Sequence, residues 1–379
     1  MRILFITNFH QLYGANRSLL SIVEKFKKEG CEVCVLLPRK GDYSQELERK
    51  GIKFLAIPYF SQLFYYKKAL PYLTLPFLIL FTFCMFPYIV FKTWRYKPDL
   101  IYSNTAAENL GILIAKILGI KHISHIREFM DLDHRCYFIW GNNTKRKYIC
   151  KSDGVIYVSK AVAKHILHGK TIPENHRVIY NGVKMSNDPF KKRLLPSVYN
   201  LGIVGLLDES KGQHIAISFF DGVLNMFPNS VLHIWGDKDG PYKDALKAKV
   251  KDMNLTKHVI FHGFEKNVDV IYREMNALLM CSKAEGFGRV TVEAMSRGIP
   301  VIGYNSGGTA ELVKEGYNGF LFHTKEEFIQ SIKNLFSRED FYNRICQQAY
   351  RDAHENYSEL IYTKNVYDFV AMIMKKGRT

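Results

Sequence analysis

The pattern with the clearest chemical content lies between positions 282 and 322. Glu285 and Glu293 are separated by seven residues, and the loop Gly286-Phe287-Gly288 lies between them at the start of a predicted helix. Carboxylates accept hydrogen bonds from hydroxyls, N–H groups at a helix start favour phosphate, and glycines let a ligand approach the backbone. The pattern indicates either a site for a ligand with hydroxyls and phosphates, or ordinary strand-to-helix turns with solvated acids.

Three neighbouring features bear on the same site. The predicted helix ends at Arg297, where Gly298 is suited to be its C-terminal cap. The segment 305–309, Asn-Ser-Gly-Gly-Thr, follows the next predicted strand and offers further backbone N–H groups. Arg289 lies in the turn into the helix, where its guanidinium either faces a phosphate or points into solvent.

Patterns that imitate metal sites are weaker. Cys31 and Cys34 lack a second cysteine pair and lie in a strand-like run, where they point to opposite faces. The aspartate pairs at 131 and 133 and at 237 and 239 suit polar loops. The cysteine pattern therefore argues against a zinc site.

The elements that must position these residues alternate along the chain. Short β-rich runs are followed by amphipathic helical stretches, which is typical of βαβ units in a parallel sheet. Ligands of such sheets bind at the carboxyl ends of the strands. The segment 185–198 breaks the alternation with two prolines and a basic run. We predict domains at 1–185 and 186–357 with a cleft between them, and a final helix within 358–379.

Composition narrows the class of protein. With 379 residues, 47% of them hydrophobic, the chain can form two folded cores and is too apolar for a disordered protein. Seven scattered cysteines and an N-terminus unlike a secretory leader predict a cytosol-side location. Residues 1–185 hold 28 lysines and arginines against 13 acidic residues, so this half is expected to face something anionic.

One segment suggests what that anionic partner is. Residues 69–91 carry no charge over 23 positions, and basic residues flank them at Lys67, Lys68, Lys92 and Arg95. By length the segment qualifies as a membrane span, but three prolines argue against one straight helix, and the strands on either side belong to one predicted sheet. We favour a hydrophobic element that dips into the membrane surface; a buried helix and a true span are the alternatives.

The stretch 282–322 resembles the donor-binding signature of glycosyltransferase family 4, the retaining sugar-nucleotide enzymes with the GT-B fold. The two glutamates have the family's spacing, and agreement continues through Glu293-Ala294-Met295, the turn at 298–301 and the glycines at 307, 308, 316 and 319. Weaker agreement extends over most of the chain, including Tyr13-Gly14-Ala15 and 201–213. The resemblance implies an α/β protein with two Rossmann-like domains and a C-terminal helix that crosses back to the first domain.

The resemblance also implies roles for individual residues. Glu285 would hold hydroxyls of the donor sugar, Glu293 the nucleotide ribose, and Lys211 the diphosphate, whose charge grows as the glycosidic bond breaks. Without the resemblance, Lys211 would be interpreted as a solvated loop lysine. The implied donor-binding residues are Gly14, Gly205, Lys211, Glu285, Gly286, Phe287, Gly288, Arg289, Val290 and Glu293.

Two positions need separate treatment. The family often has an arginine after the glycine that matches Gly205, and this sequence has Leu206 there, so one cation of the diphosphate clamp is missing unless Arg289 replaces it. The family often carries a histidine near the reacting sugar within the segment 122–128, in one of two registers: His125, or Arg127 in its place. The alternative is a strand-end histidine satisfied by its neighbours. The predicted catalytic residues are Glu285, Lys211, His125 and Arg127.

The function implied is a retaining, hexosyltransferase-type glycosyltransferase that uses a nucleoside-diphosphate sugar, a UDP-sugar first, with no metal and no other cofactor. The acceptor is expected to be a saccharide linked to a polyprenyl diphosphate, in surface polysaccharide, O-antigen or capsule assembly. The protein is expected peripherally on the cytoplasmic face of the cell membrane, in contact with anionic lipid and not with nucleic acid. The alternatives are a non-catalytic GT-B-like membrane or lipid-binding adaptor and a sugar-nucleotide epimerase.

Overall fold

The computed structural model describes residues 1–59, 63–65, 70–107, 109–133, 135–138, 141–186 and 188–376. It divides into two compact units: unit 1 consists of Met1–Gly182 and Glu359–Thr379, and unit 2 of Val183–Ser358. The sequence predicts boundaries at 185/186 and 357/358, whereas the chain changes units at 182/183 and 358/359.

The strands are short, and most of them are buried. In chain order they are β1 (Arg2–Ile6), β2 (Glu32–Leu37), β3 (Lys53–Ala56), β4 (Leu63–Tyr65), β5 (Leu100–Ser103), β6 (Lys121–Ile126), β7 (Cys136–Phe138), β8 (Gly154–Tyr157), β9 (His176–Val178), β10 (Tyr199–Val204), β11 (Ser230–Trp235), β12 (Val259–Gly263), β13 (Ala277–Met280), β14 (Val301–Tyr304) and β15 (Gly319–Phe322).

The helices connect these strands. They are α1 (Gly14–Lys28), α2 (Asp42–Arg49), α3 (Leu70–Tyr96), α4 (Leu110–Leu118), α5 (Asn142–Cys150), α6 (Lys160–Ile166), α7 (Gln213–Met226), α8 (Pro241–Asp252), α9 (Val268–Tyr272), α10 (Arg289–Met295), α11 (Thr309–Leu312), α12 (Lys325–Leu335), α13 (Glu339–Asn356) and α14 (Glu359–Lys375), with a 3₁₀ turn at Glu209–Lys211.

Each unit contains one parallel sheet. Unit 1 has the strand order β3-β2-β1-β5-β6-β8-β9, and unit 2 has the order β12-β11-β10-β13-β14-β15. Because both faces of such a sheet are covered by helices, central strands are buried along their whole length; β5, for example, is buried at every position. The parallel, α/β character predicted from the alternation is confirmed. A short antiparallel pair, β4 with β7, has no counterpart in the sequence-based expectations.

The last helix belongs to unit 1. The buried face of α14 includes Val366, Phe369 and Ile373, which join the core formed with β1, β2 and α1. A methyl group on Gly154 of β8 would lie 2.9 Å from a side-chain carbon of Ile373, so helix and sheet are in close contact there. The return of the C-terminal helix to the first domain is confirmed.

Helix α3 contains most of the uncharged segment 69–91. Ala69, Lys67 and Lys68 lie outside the described residues. The sequence predicts that the prolines interrupt the helix, and they do not. Position 71 is in its first turn, where no intrahelical N–H is needed, and the helix continues through positions 76 and 87. Ile89 and Thr93 are buried on its inner face. Among the described residues, no helix has both the length and the apolar character that crossing a membrane requires.

His122, the second residue of β6, is a polar group enclosed in unit 1. Its Nε2 lies 2.9 Å from the hydroxyl of Ser103, and its Nδ1 lies 3.0 Å from the hydroxyl of Ser152. Burial, assisted by the charge of Lys145, lowers the pKa of His122 to about 3. The folded protein therefore holds this imidazole neutral.

This burial predicts a pH-dependent stability. Because the pKa of His122 is about 3 in the folded chain and 6.5 in the unfolded chain, its contribution is complete above pH 6.5 and declines as the pH falls toward 3. Between pH 6.5 and 4.5, the free energy of unfolding should fall by about 2 to 3 kcal/mol more in the wild type than in His122→Gln. Urea denaturation followed by circular dichroism at both pH values checks this; equal losses in the two proteins would contradict it.

Candidate functional site

Lys211 lies on the loop that leaves the carboxyl end of β10. Directly after the strand, Gly205 turns the chain with φ +152°, and the 3₁₀ turn that ends at Lys211 leads into α7. The Gly205 N–H donates to the carbonyl oxygen of Trp235 at 2.9 Å, which ties this turn to the end of β11. The loop therefore begins from a fixed point on the sheet.

A carboxylate shapes the middle of the same loop. One oxygen of Asp208 accepts hydrogen bonds from the N–H and the hydroxyl of Ser210, at 3.1 and 2.9 Å, and the other accepts from Lys238 at 2.8 Å. Burial opposes ionisation of Asp208, but the hydrogen bonds from Lys238 and Ser210 outweigh burial and lower the pKa of Asp208. Asp208 thus stays charged and caps the 3₁₀ turn.

Gly212 brings this loop onto the neighbouring strand. It has φ +75°, and a β-carbon on it would lie 2.3 Å from the carbonyl oxygen of Cys281, the residue that follows β13. Only glycine fits both the left-handed backbone and this distance. Lys211 is consequently held next to the loop that leaves β13.

The loop after β13 carries Glu285, and the loop after β14 supports it. The N–H of Gly308 donates to the carbonyl oxygen of Glu285 at 2.7 Å. A β-carbon on Gly307 would lie 2.6 Å from the same oxygen, and one on Gly308 would lie 2.7 Å from the carbonyl oxygen of Gly286. The glycines of 305–309 therefore let two protein loops pack together, and the N–H of Gly308 is used within the protein.

These contacts place Lys211 and Glu285 in direct contact. The Lys211 Nζ lies 2.8 Å from Glu285 Oε2, and the two side chains are 34% and 17% exposed. The pair is therefore shielded but still reachable by a ligand. It offers one cation for an anionic group and one carboxylate for hydroxyl groups.

Glu293 lies in α10, about one turn beyond Arg289. The Arg289 guanidinium lies 3.6 Å from Glu293 Oε1, and the hydroxyl of Tyr272 donates to Glu293 Oε2 at 3.4 Å. Tyr272 is fully buried, and burial together with the Glu293 charge raises the pKa of this phenol well above its usual range. Glu293 is thus oriented from both sides. The helix is shorter than predicted: it ends at Met295, and Ser296 is its C-cap.

Other predicted donor-binding residues are placed as follows. The Phe287 side chain is 3% exposed and packs edge-on against Tyr357, with ring centroids 6.2 Å apart, so it belongs to the interior of unit 2. Gly288 begins α10 with φ +94°. The Val290 carbonyl accepts from Tyr272 at 3.3 Å. The Leu206 side chain is 48% exposed and brings no charge to the loop.

His125 is enclosed in unit 1. Its side chain is fully buried, its Nδ1 lies 2.5 Å from the hydroxyl of Tyr102, and its Nε2 has no hydrogen-bond partner among the described residues. Burial and then the charge of Arg127 lower the pKa of His125 well below its usual range. In this conformation the His125 imidazole is neutral and enclosed.

Arg127 is also buried, with 8% exposure, and it ties three segments of unit 1 together. Its guanidinium donates to the side-chain oxygens of Asn104 and Asn181, each at 2.7 Å, and to the hydroxyl of Tyr362 on α14 at 2.9 Å. Asn104 in turn donates to the carbonyl oxygen of Ala15 at 3.2 Å, beside Gly14 at the start of α1. Arg127 therefore supports the Gly14 loop indirectly.

Two residues that position candidate groups, one in each unit, were not identified from the sequence. Tyr272 orients Glu293, although nothing near it in the sequence marks it. Asn16 organises the first loop of unit 1 by donating to the carbonyl oxygens of Phe9 and Gln11 at 2.9 and 2.7 Å. An asparagine two residues after Gly14 was the available sequence signal for Asn16. No group of three potential metal ligands occurs among the described residues.

Comparison with protein families agrees with the resemblance seen in the sequence. Residues 13–187 match the model described as Glycosyltransferase Family 4, and residues 186–352 match the model described as Glycosyl transferases group 1. The two matched regions adjoin and together include every predicted site residue. The family resemblance inferred from the two glutamates is confirmed.

The similarity to individual proteins is lower in sequence than in structure. The chain is 29% identical over 181 residues to a poly(glycerol-phosphate) alpha-glucosyltransferase of Bacillus subtilis, a match that covers 47% of this chain and only 26% of the relative's length. It is 26% identical over 285 residues to the lipopolysaccharide 1,6-galactosyltransferase of Salmonella typhimurium, covering 73% of each chain. The structure of Anabaena HepE in complex with UDP and glucose superposes with a TM-score of 0.80 at 22% identity, covering 98% of this chain and 100% of that one. The GT-B fold class is confirmed.

The close approach at Gly212 generates a prediction about stability. Gly212→Ala should lower the free energy of unfolding of unit 2 by about 2 to 5 kcal/mol, because it adds left-handed strain to a clash with the Cys281 carbonyl. Gly316→Ala is the matched control, since Gly316 has φ +67° and a β-carbon added there would meet no atom within 4 Å. Gly316→Ala should lower the free energy of unfolding only by the backbone strain, about 1 to 2 kcal/mol. Urea titration measures both; equal losses would contradict the packing account.

Proposed function

This chain belongs to the group 1 glycosyltransferases of family 4, and we propose that it transfers a sugar from a nucleoside-diphosphate sugar to a hydroxyl of a saccharide acceptor. The observation that carries the proposal is the 2.8 Å contact between Lys211 and Glu285, with Glu293 on the following helix. One ammonium and two carboxylates in adjoining loops match the parts of such a donor: a diphosphate, a sugar and a ribose.

Each part of the donor meets a suitable group. Lys211 neutralises the charge that develops on the diphosphate as it leaves, and fixed cations do this without reorganisation in the transition state. Glu285 accepts hydrogen bonds from hydroxyls of the sugar, and Glu293, oriented by Tyr272 and Arg289, accepts from hydroxyls of the ribose. Arg289 adds a second positive charge near the diphosphate, where Leu206 supplies none.

The transfer is proposed to retain the anomeric configuration. The bond between the anomeric carbon and the diphosphate oxygen breaks, and the acceptor oxygen forms its bond to that carbon on the same face. The acceptor proton passes to the departing diphosphate, so the step needs orientation and charge stabilisation more than a protein acid–base pair. Lys211 and Arg289 supply the positive charge, and we propose no metal and no other cofactor. A UDP-sugar is the first donor to test, since HepE was crystallised with UDP.

The acceptor is proposed to be lipid-linked because of the outer face of α3. Phe77, Leu80, Phe83, Phe91 and Trp94 are each at least half exposed, while the opposite face of the helix packs against the core of unit 1. Exposed apolar side chains on one face of a long helix favour a membrane surface. The excess of lysine and arginine over acidic residues in 1–185 favours anionic lipid, with about 1 kcal/mol per cation near the surface.

A peripheral location on the cytoplasmic face of the cell membrane follows from this proposal. A saccharide carried on a polyprenyl diphosphate would present its sugar at that surface, and the diphosphate would add to the attraction of a basic domain. Surface polysaccharide, O-antigen or capsule assembly is the process that uses such acceptors. The Salmonella relative's name, a lipopolysaccharide galactosyltransferase, supports a saccharide acceptor that carries a lipid, although not its polyprenyl diphosphate.

The role of Lys211 gives a test of donor chemistry. Lys211→Met should lower the rate of sugar transfer or donor hydrolysis by roughly 10²- to 10³-fold, the usual effect of removing one preorganised charge from a leaving group. Lys325→Met is the matched control: Lys325 pairs with Asp221 of α7 in the same unit, and its loss should leave the rate within about twofold. A panel of UDP-, GDP- and dTDP-sugars is assayed with both variants. Equal rates for wild type and Lys211→Met on the active donor would contradict the proposal.

The role of α3 gives a test of membrane contact. Phe83 and Phe91 are 75% and 50% exposed, so the double substitution by serine should leave the fold intact. It should weaken binding to vesicles of equal parts phosphatidylglycerol and phosphatidylcholine by about tenfold or more, because the transfer of each phenyl ring from water into the membrane is favourable and serine loses that contribution. Leu360→Ser is the control, since Leu360 is 73% exposed on α14 of the same unit. This substitution should leave binding to the vesicles unchanged. Unchanged cosedimentation of the double variant would contradict this role.

A further inference from the structure

The two groups assigned to different parts of the donor neutralise each other in this structure. Lys211 Nζ and Glu285 Oε2 are 2.8 Å apart, in hydrogen-bonding contact as well as opposite in charge. A diphosphate that binds Lys211 therefore competes with a carboxylate for the ammonium. The ligand group that then faces Glu285 decides whether replacing the ion pair by contacts to the ligand is favourable.

The pair is built into the fold. Lys211 cannot withdraw through its backbone, because the next residue, Gly212, rests on the carbonyl of Cys281. Glu285 cannot withdraw either, because its carbonyl oxygen accepts the N–H of Gly308 at 2.7 Å and Gly307 packs against the same atom. Side-chain rotation is the movement left to separate them.

We propose that Glu285 determines the preference for intact donor over the sugar-free nucleoside diphosphate; this rests on the proposed function. With an intact donor, the diphosphate takes Lys211 and the sugar hydroxyls replace the ammonium as hydrogen-bond donors to Glu285. Both charges stay satisfied. With the sugar-free product, the terminal phosphate brings additional negative charge to the place of the sugar and offers Glu285 no hydroxyl. The carboxylate then repels this ligand and competes with it for Lys211.

Glu293 provides a matched control in the same unit. Its cation is Arg289, at 3.6 Å on the same helix, and its proposed ligand is the ribose. The ribose occurs in both the donor and the product. Removing the charge of Glu293 should therefore weaken both ligands alike, whereas removing the charge of Glu285 should affect them in opposite directions.

The test is calorimetric titration of the full chain with UDP and with a UDP-sugar, or with the nucleotide pair that raises the melting temperature of the wild type. Glu285→Gln should bind the sugar-free nucleotide about fivefold more tightly, which matches the free energy that a partly exposed ion pair contributes. It should bind the nucleotide sugar more weakly. Glu293→Gln should weaken both and leave their ratio within about twofold. Glu285→Asp, which keeps the charge but shortens the side chain, provides a second variant, with a smaller change in the same direction.

Two results would overturn the inference. If Glu285→Gln weakened both ligands by the same factor, Glu285 would only maintain the loop; if it left UDP binding unchanged, the ion pair would not compete with the diphosphate. Either result leaves the proposed function standing, because the wild type still binds the donor. If the wild type bound none of the nucleotides and none of their sugars, the proposed function would fail and this inference with it.

Discussion

The candidate site depends on the approach of two backbones at Gly212. Because no β-carbon fits between Gly212 and the Cys281 carbonyl, the loop after β10 lies directly on the end of β13. The strand order makes β10, β13 and β14 neighbours, and Gly307 and Gly308 repeat the same kind of contact between the loops after β13 and β14. Three loops are thereby stacked at the carboxyl edge of one sheet. Lys211 and Glu285 are in contact because these close backbone approaches hold their loops next to each other.

The two units carry different kinds of function in this account. Unit 2 holds the charged groups suited to a nucleotide sugar, on loops fixed by glycine contacts and by the Asp208 cap. Unit 1 carries the exposed apolar face of α3, and its interior is closed around His125 and Arg127. The hydrogen bond from Arg127 to Tyr362 also fastens the C-terminal helix to this unit. This division suits the proposed function, in which unit 2 binds the sugar donor and the exposed face of α3 contacts a membrane surface.

Much of the fold was predictable because buried parallel strands are continuous apolar runs, as in β1 and β13, and because the final helix has a clear amphipathic pattern. Helix α2 was missed although Tyr43 and Leu47, four residues apart, mark its buried face. The pairing of β4 with β7 was missed because it is a tertiary contact that leaves little local signal. In the site, the glutamate spacing and Lys211 were readable from the sequence. The burial of Phe287 and the role of Tyr272 were not, because burial is decided by residues far away in the chain. For His125, the alternative of a strand-end histidine satisfied by its neighbours is the one that its burial and its contact with Tyr102 favour. The glycines at 307 and 308 suggest ligand contacts in the sequence, and in the structure they make room for the neighbouring loop.

The central claim is that the Lys211 loop and the Glu285 loop together bind a nucleoside-diphosphate sugar. A crystal structure of the chain with the donor that stabilises it, or with an unreactive analogue of that donor, tests this most directly. The account predicts the diphosphate within hydrogen-bonding distance of Lys211, sugar hydroxyls on Glu285, ribose hydroxyls on Glu293, and the Lys211–Glu285 contact of 2.8 Å broken. A bound donor that left this ion pair intact, or that lay away from these loops, would contradict it.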